Sequence, residues 1–132
     1  MIFVYHFVAN SEFGDRAGKF LSRVEAGRCR LVTSVLSLME TLVVPKRHGA
    51  EAVVRRYRDF FSAFPNLRVV GIDREIAELA SELRARYGLK TPDALQFATA
   101  IREHADAFVT EDRRLRSIPG LKVLSLDQAL RR

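Results

Sequence analysis

The chain has little of what would mark an extracellular, membrane-bound or nucleotide-hydrolysing protein. It holds a single cysteine, Cys29, so no internal disulfide can form and a reducing cytoplasm is the expected compartment. No apolar run approaches the roughly 20 residues that cross a bilayer. The apolar N-terminus has neither a basic leading segment nor a small-residue cleavage site, which argues against a secretory signal. No glycine-rich phosphate loop is present, which argues against a mononucleotide-binding NTPase. The three histidines, His6, His48 and His104, show no ligand spacing, and with one cysteine they argue against zinc. No repeat, low-complexity stretch or linker divides the chain, and 132 residues suit one domain.

What is present is positive charge. Twenty-two Lys and Arg against 16 Asp and Glu give a net charge of +6. The basic residues cluster at Lys46-Arg47-His48, at Arg55-Arg56 with Arg58, at Arg84 and Arg86, at Arg113-Arg114 with Arg116, and at Arg131-Arg132. Such patches suit a polyanion. The plain alternative is solvated helix faces and helix C-termini, where cations are favoured.

Four short β-rich runs, Arg30–Thr33, Leu67–Val70, Ala107–Thr110 and Lys122–Ser125, alternate with amphipathic helical segments. That alternation predicts an α/β fold with a parallel sheet flanked by helices. Helices are expected over Glu12–Ala26, from Thr33 or Ser34 to about Val43, over Glu51–Phe64, from an Asp73 cap to Gly88, and from Thr91 to about His104. Pro45–Gly49 reads as a basic loop, since the residue before a proline avoids the α region. In the segment from Thr91, Thr is expected as N-cap and Pro92 at the first helical position. A helical turn after Asp112 and a last helix over Leu126–Arg131 complete the pattern. Residues 1–9 are ambiguous: β-branched and aromatic content favours a strand, but a short apolar run cannot settle the matter by periodicity.

Three acids fall where strands give way to helices. Glu40 lies opposite the stripe of Val35, Leu38, Met39 and Leu42, beside Ser37 and Thr41. Asp93 opens a largely apolar helix, and Asp112 follows the strand that ends at Thr110. Each has an ordinary alternative: a solvated polar face for Glu40, a macrodipole partner for Asp93 and a helix cap for Asp112. Taken together they sit where α/β proteins bind ligands, beyond the carboxyl ends of the strands. Acids converging there repel one another unless a cation lies among them. Carboxylates on a basic surface suit a hard cation and phosphodiester chemistry.

The stretches IFVYHFVANSEFG, LVTSVLSLMETLVVP, LKTPDALQFATA and FVTEDRRLRSIPGLKVLSLD together resemble the PIN-domain family, most of all the VapC ribonuclease toxins. The resemblance runs over nearly the whole chain as a single PIN-like domain. It implies a three-layer fold on a five-stranded parallel sheet, a Mg²⁺ or Mn²⁺ site, and hydrolysis of RNA as the toxin of a toxin–antitoxin pair. It assigns catalysis and metal to Glu40, Asp93 and Asp112; beside them Arg113 and Arg114 could contact the RNA backbone, and Thr110 at the strand end could add a hydroxyl. It also implies a VapB-like antitoxin and a homodimer, to which Phe60, Phe61 and Phe64 could contribute, although core packing is the favoured role for those rings. A catalytically impaired RNA- or protein-binding module is the alternative. An unrelated α/β phosphatase or nuclease is a third.

In one respect the sequence departs from the family. The family's first acid belongs to a first strand of the form apolar-apolar-Asp-Thr/Ser, and that strand should have ended before Met1. The expectation is therefore a sheet lacking its central strand, with residues 1–5 starting the first helix and a start codon placed a few residues late. Asp15 lies too deep in the next helix to replace the missing acid. The competing possibility is that Met1–Tyr5 fills the vacant strand position.

Overall fold

Ile2–Tyr5 (β1) is a strand, and it is the central one. The computed structural model describes residues 1–7 and 14–132. Its elements run β1, α1 (Gly14–Glu25), β2 (Arg30–Ser34), α2 (Val35–Arg47), α3 (Glu51–Ala63), β3 (Leu67–Val70), α4 (Arg74–Tyr87), α5 (Thr91–Arg102), β4 (Ala107–Val109), β5 (Val123–Leu124) and α6 (Leu126–Leu130). The strand order is β3-β2-β1-β4-β5, and every pairing is parallel. Phe3 pairs with Leu31 on one side and with Ala107 on the other. The expected gap in the sheet is thus filled, and residues 1–5 do not start a helix. The composition of IFVY suits a two-sided parallel strand, which must be apolar on both faces.

Successive strand residues point to opposite faces, and two cores result. Val4, Val32, Val70 and Phe108 pack under α4 and α5, against Ile76, Leu83, Ala94 and Phe97. Phe3, Tyr5, Leu31 and Val109 pack on the other face against Phe20 and Val24 of α1 and Leu126 of α6. Helix, sheet and helix form the three expected layers.

Most boundaries fall close to expectation. Asp73 caps α4 by accepting from Ile76 N, and Gly88 ends that helix at φ 66°, where glycine carries no Cβ penalty. Three local expectations are corrected. Pro45–Gly49 is not a loop, because α2 continues through Pro45 to Arg47. The proline ring is buried, and His48 N donates to Val44 O at 3.1 Å to close the helix end. Lys90 rather than Thr91 is the N-cap of α5, and the Thr91 hydroxyl instead accepts from Arg84 at 2.9 Å. No helical turn follows Asp112; its side chain takes the Arg114 N–H at 3.0 Å in a local turn, a competition with helix that Asp commonly wins. The expected helix start at Glu12, with Phe13, lies outside the described residues. Among the described residues, no helix is long and apolar enough to cross a membrane.

Candidate active site at the carboxyl edge of the sheet

Because all five strands are parallel, their carboxyl ends share one edge. The order reverses direction at β1, which is flanked by β2 and β4, and such a switch point opens a crevice. Ser34 ends β2 and caps α2, accepting from Leu36 N at 3.1 Å. Glu40 follows on the second turn of that helix. Asp93 lies in the first turn of α5, and Asp112 follows β4 through Thr110.

The face of α2 turned toward this crevice is the polar one. Ser37 is fully buried, whereas Val35 and Met39 of the expected apolar stripe are 37% and 56% exposed. Ser37 and the half-buried Glu40 are thus turned inward, while Leu42 of the apolar stripe is buried as well. Burial pushes the Glu40 carboxyl above its ordinary value; the charge of His6 opposes the shift and Asp93 adds to it. The Glu40 Oε1 atom is buried without a hydrogen-bond partner. Asp112 is held below the ordinary range, first by its hydrogen bond from the Arg114 side chain and also by the charge of His6. Arg114 is raised chiefly by Asp112, with a smaller contribution from Asp93. Glu40, Asp93 and Asp112, drawn from two helices and a loop, thus share one electrostatic neighbourhood.

His6 completes it, and sequence reasoning passed it over. Tyr5 turns its ring into the core under α1, where burial, with help from Glu111, pushes its hydroxyl up to about 12. The next residue points the opposite way. His6 is 9% exposed, and its Nδ1 lies 3.1 Å from the Thr110 hydroxyl. It stands at the end of the central strand, where the resemblance expects an acid. The period-2 alternation of a strand would have found it, had residues 2–5 been read as one.

Beneath the acids runs a chain of buried hydrogen bonds. Thr33 Oγ1 donates to Tyr5 O at 3.0 Å and lies 2.7 Å from Ser37 Oγ, to which Gln96 Nε2 donates at 2.9 Å. Since Thr33 gives its proton to a carbonyl, Ser37 must donate to Thr33, and the Gln96 amide must face Ser37 through its NH₂. Gln96 Oε1 is then left buried and unpartnered. In the sequence Ser37 reads only as a polar neighbour of Glu40 and Thr33 only as a possible helix cap; Gln96, three residues after Asp93 on a largely apolar helix, carries a signal that goes unused.

The expected RNA-contact residues divide. Arg113 is exposed. Arg114 lies on Asp112, and Thr110 is buried, bonded to His6 and accepting from Asp112 N at 3.1 Å. Of the three phenylalanines, Phe61 is in the core at 7% exposure. Phe60 lines an apolar groove of about 630 Å³ with Phe7, Leu21, Val44, Pro45 and Tyr57.

The PIN domain profile matches residues 1–121, and the chain belongs to the PIN domain family. Two solved structures share the fold. One is the crystal structure of VapBC2 from Rickettsia felis bound to a DNA fragment from their promoter, at 19% identity and TM-score 0.74, covering 95% of this chain and 98% of that one. The other is a toxin–antitoxin complex from Klebsiella pneumoniae, at 24% identity and TM-score 0.64, covering 93% and 96%. The chain has no match among curated proteins.

The divalent cation implied by the resemblance does not fit the residues as arranged. The orphaned Glu40 Oε1 would welcome one. Against it, both Asp112 oxygens are engaged by Arg114. Among the described residues, no three His, Cys, Asp or Glu side chains are grouped to hold a metal.

Proposed function

We propose that this PIN domain is an endoribonuclease and the toxin of a toxin–antitoxin pair. The observation that supports it best is the placement of Glu40, Asp93, Asp112 and His6 at one edge of the sheet, where His6 and Asp93 act on the Glu40 carboxyl and His6 acts on Asp112, on a chain of net charge +6. Hydrolysis of a phosphodiester needs an acceptor for the proton of the attacking water, a donor to the leaving oxygen, and positive charge at the phosphate. The carboxylates and His6 can hold or move those protons. Arg113, with Arg114 once freed from Asp112, would meet the RNA backbone. One solved structure with the same fold is described as a toxin–antitoxin complex and the other as VapBC2, which supports an antitoxin partner here. The apolar groove beside Phe60 and Tyr57 is the surface best suited to such a segment, and the exposed Val35 and Met39 suit a second copy of the chain.

RNA cleavage measured with Mg²⁺, with Mn²⁺ and with EDTA, for the parent and for Asp93→Asn, tests the reading. Cleavage by the parent that the substitution reduces at least 100-fold is the expected result, in line with removing a general acid–base group. A second reading, a PIN-like module that binds RNA or protein without cutting, is favoured by the histidine at the end of the central strand and by the closed Arg114–Asp112 pair. RNA binding indifferent to EDTA, with no cleavage under any of the three conditions, would establish it in place of the first.

A further inference from the structure

We propose that the basic groove between the end of α2 and the start of α3 grips the backbone of single-stranded RNA a few nucleotides away from the crevice. The proposal rests on the ribonuclease reading and adds a second binding place to it. The groove encloses about 400 Å³, floored by Pro45 and Val54 and rimmed by Lys46, Glu51, Arg55 and Arg58. Lys46, Arg55 and Arg58 are exposed, whereas Pro45 and Val54 are buried. From Lys46 to Asp59 the chain carries five Lys and Arg against two acids, Glu51 and Asp59, a surplus of three that is half of the net +6.

Local structure does not account for these cations. The last turn of a helix favours positive charge, which covers Lys46 and Arg47 of α2. In α3 the last turn holds no basic residue, and Arg55, Arg56 and Arg58 stand nearer its start and middle. Ion pairing does not account for them either. Arg68, Arg102 and Arg114 each meet a carboxylate, whereas among the described residues Lys46, Arg47, Arg55, Arg56 and Arg58 form no ion pair. Unpaired cations along one groove suit the repeating charge of a nucleic-acid backbone.

The groove is preformed. Gly49 N donates to Lys46 O at 3.1 Å and Ala50 N to Pro45 O at 2.9 Å, closing a tight turn with Gly49 at φ 65°, where the lack of a Cβ costs nothing. Helix α2 joins groove to crevice. Arg47 lies two helical turns beyond Glu40, on the same face and about 10 Å along the axis. A strand leaving the crevice along that face meets Arg47 and then the groove. The opposite face of α3 presents Tyr57 and Phe60 to the apolar groove, which suits a peptide; this face presents charge.

Fluorescence anisotropy of a labelled single-stranded 2′-O-methyl RNA, titrated with the full chain in EDTA across a salt series, provides the test without turnover. Each phosphate contact removed takes about 0.7 from the slope of log affinity against log salt for a single strand. Arg55→Gln combined with Arg58→Gln should therefore flatten the slope by about 1.4 and weaken binding at low salt at least about tenfold. Lys46→Gln alone should flatten it by about 0.7. Arg74→Gln combined with Arg86→Gln removes the same charge from α4 and should leave the slope unchanged. An equal loss in the α4 pair would mean that net charge alone matters, and would refute the groove. If the groove variants bind like the parent while Arg113→Gln weakens binding, the groove is refuted and the crevice reading survives. If the parent binds no RNA, both fall together. Polyglutamate is the second probe: groove variants that lose it yet keep RNA would assign the groove to an acidic peptide and overturn the proposal. Thermal melting confirms that each variant is folded.

Discussion

Glu40 carries an oxygen that is buried and has no partner, and Glu40→Gln removes the charge while keeping the shape. Burial raises the carboxyl above its ordinary value, with Asp93 adding to the shift and His6 opposing it. The unfolded chain therefore ionises first as pH rises, while the native state still holds the proton. Stability contributed by the protonated form is fully present below the ordinary glutamate value and is lost as pH climbs through the raised native value. Above that point the native state carries a half-buried carboxylate with an unsatisfied oxygen. Such a group costs about 1–3 kcal/mol when fully buried, and the lower figure applies because the residue as a whole is only half-buried.

Glu40→Gln should accordingly be more stable than the parent at pH 8 by about 1 kcal/mol, or ~4 °C in Tm for a domain of this size. At pH 4, where the native state holds the proton and the unfolded chain mostly does, the difference should largely close. Circular-dichroism melts at the two pH values read this directly, and RNA cleavage by the same samples should fall at least tenfold at pH 8. A variant less stable than the parent at pH 8, or a gain that persists undiminished at pH 4, would refute the account of Glu40 as a strained group. A gain in stability joined to a loss of activity is the pattern of a residue retained for function.

Two further outcomes probe the surroundings. Ser37→Ala deprives the buried Gln96 amide and Thr33 hydroxyl of their shared partner and should destabilise the protein by about 1–3 kcal/mol, seen as a lower urea midpoint. Asp112→Asn should show the pH dependence opposite to Glu40: the native value is lowered, so the ionised carboxylate contributes stability above the ordinary aspartate value and loses it as pH falls through the native one. The deficit of Asp112→Asn near pH 7 should stay below about 1 kcal/mol and shrink in high salt, because Arg114 is largely exposed, and a deficit that salt leaves untouched would contradict the ion-pair account.

Much of the fold was legible because local chemistry and tertiary structure agree. Leu67–Val70 is a strand as read, and the Asp73 cap and Gly88 stop bound α4 as read. Failures cluster where one residue serves two demands. Pro45 should end a helix, yet α2 runs through it to Arg47 with the ring buried. The α2 stripe of Val35 and Met39 should face the core, yet Ser37 does. Residues 2–5 were read against a family pattern with an acid, and lacking one they looked like the segment after the strand. Periodicity could not correct that, since a strand buried on both faces has no polar side to reveal its period. The candidate site is read in the sequence as three acids. His6 and the relay from Gln96 to Thr33 are not read there, because polar groups satisfied by partners distant in sequence leave no local trace.

The inversion of α2 and the relay beneath it belong to one arrangement. A helix packed only for stability would turn Val35 and Met39 inward and leave Ser37 and Glu40 in water. Here Val35 and Met39 are exposed, although Leu42 of the same stripe is buried, and the buried Ser37 is tied to β1, β2 and α5 through Thr33, the Tyr5 carbonyl and Gln96. Those bonds fix the rotation of α2 about its axis, and that rotation sets the position of Glu40, one turn beyond Ser37. The same carbonyl immediately precedes His6, so the end of the central strand and the acid of the neighbouring helix are positioned by a single chain of donors. A direct consequence is that Glu40 and His6 can be held near one another although no hydrogen bond joins them, with Glu40 Oε1 unpartnered and His6 Nδ1 held by the Thr110 hydroxyl.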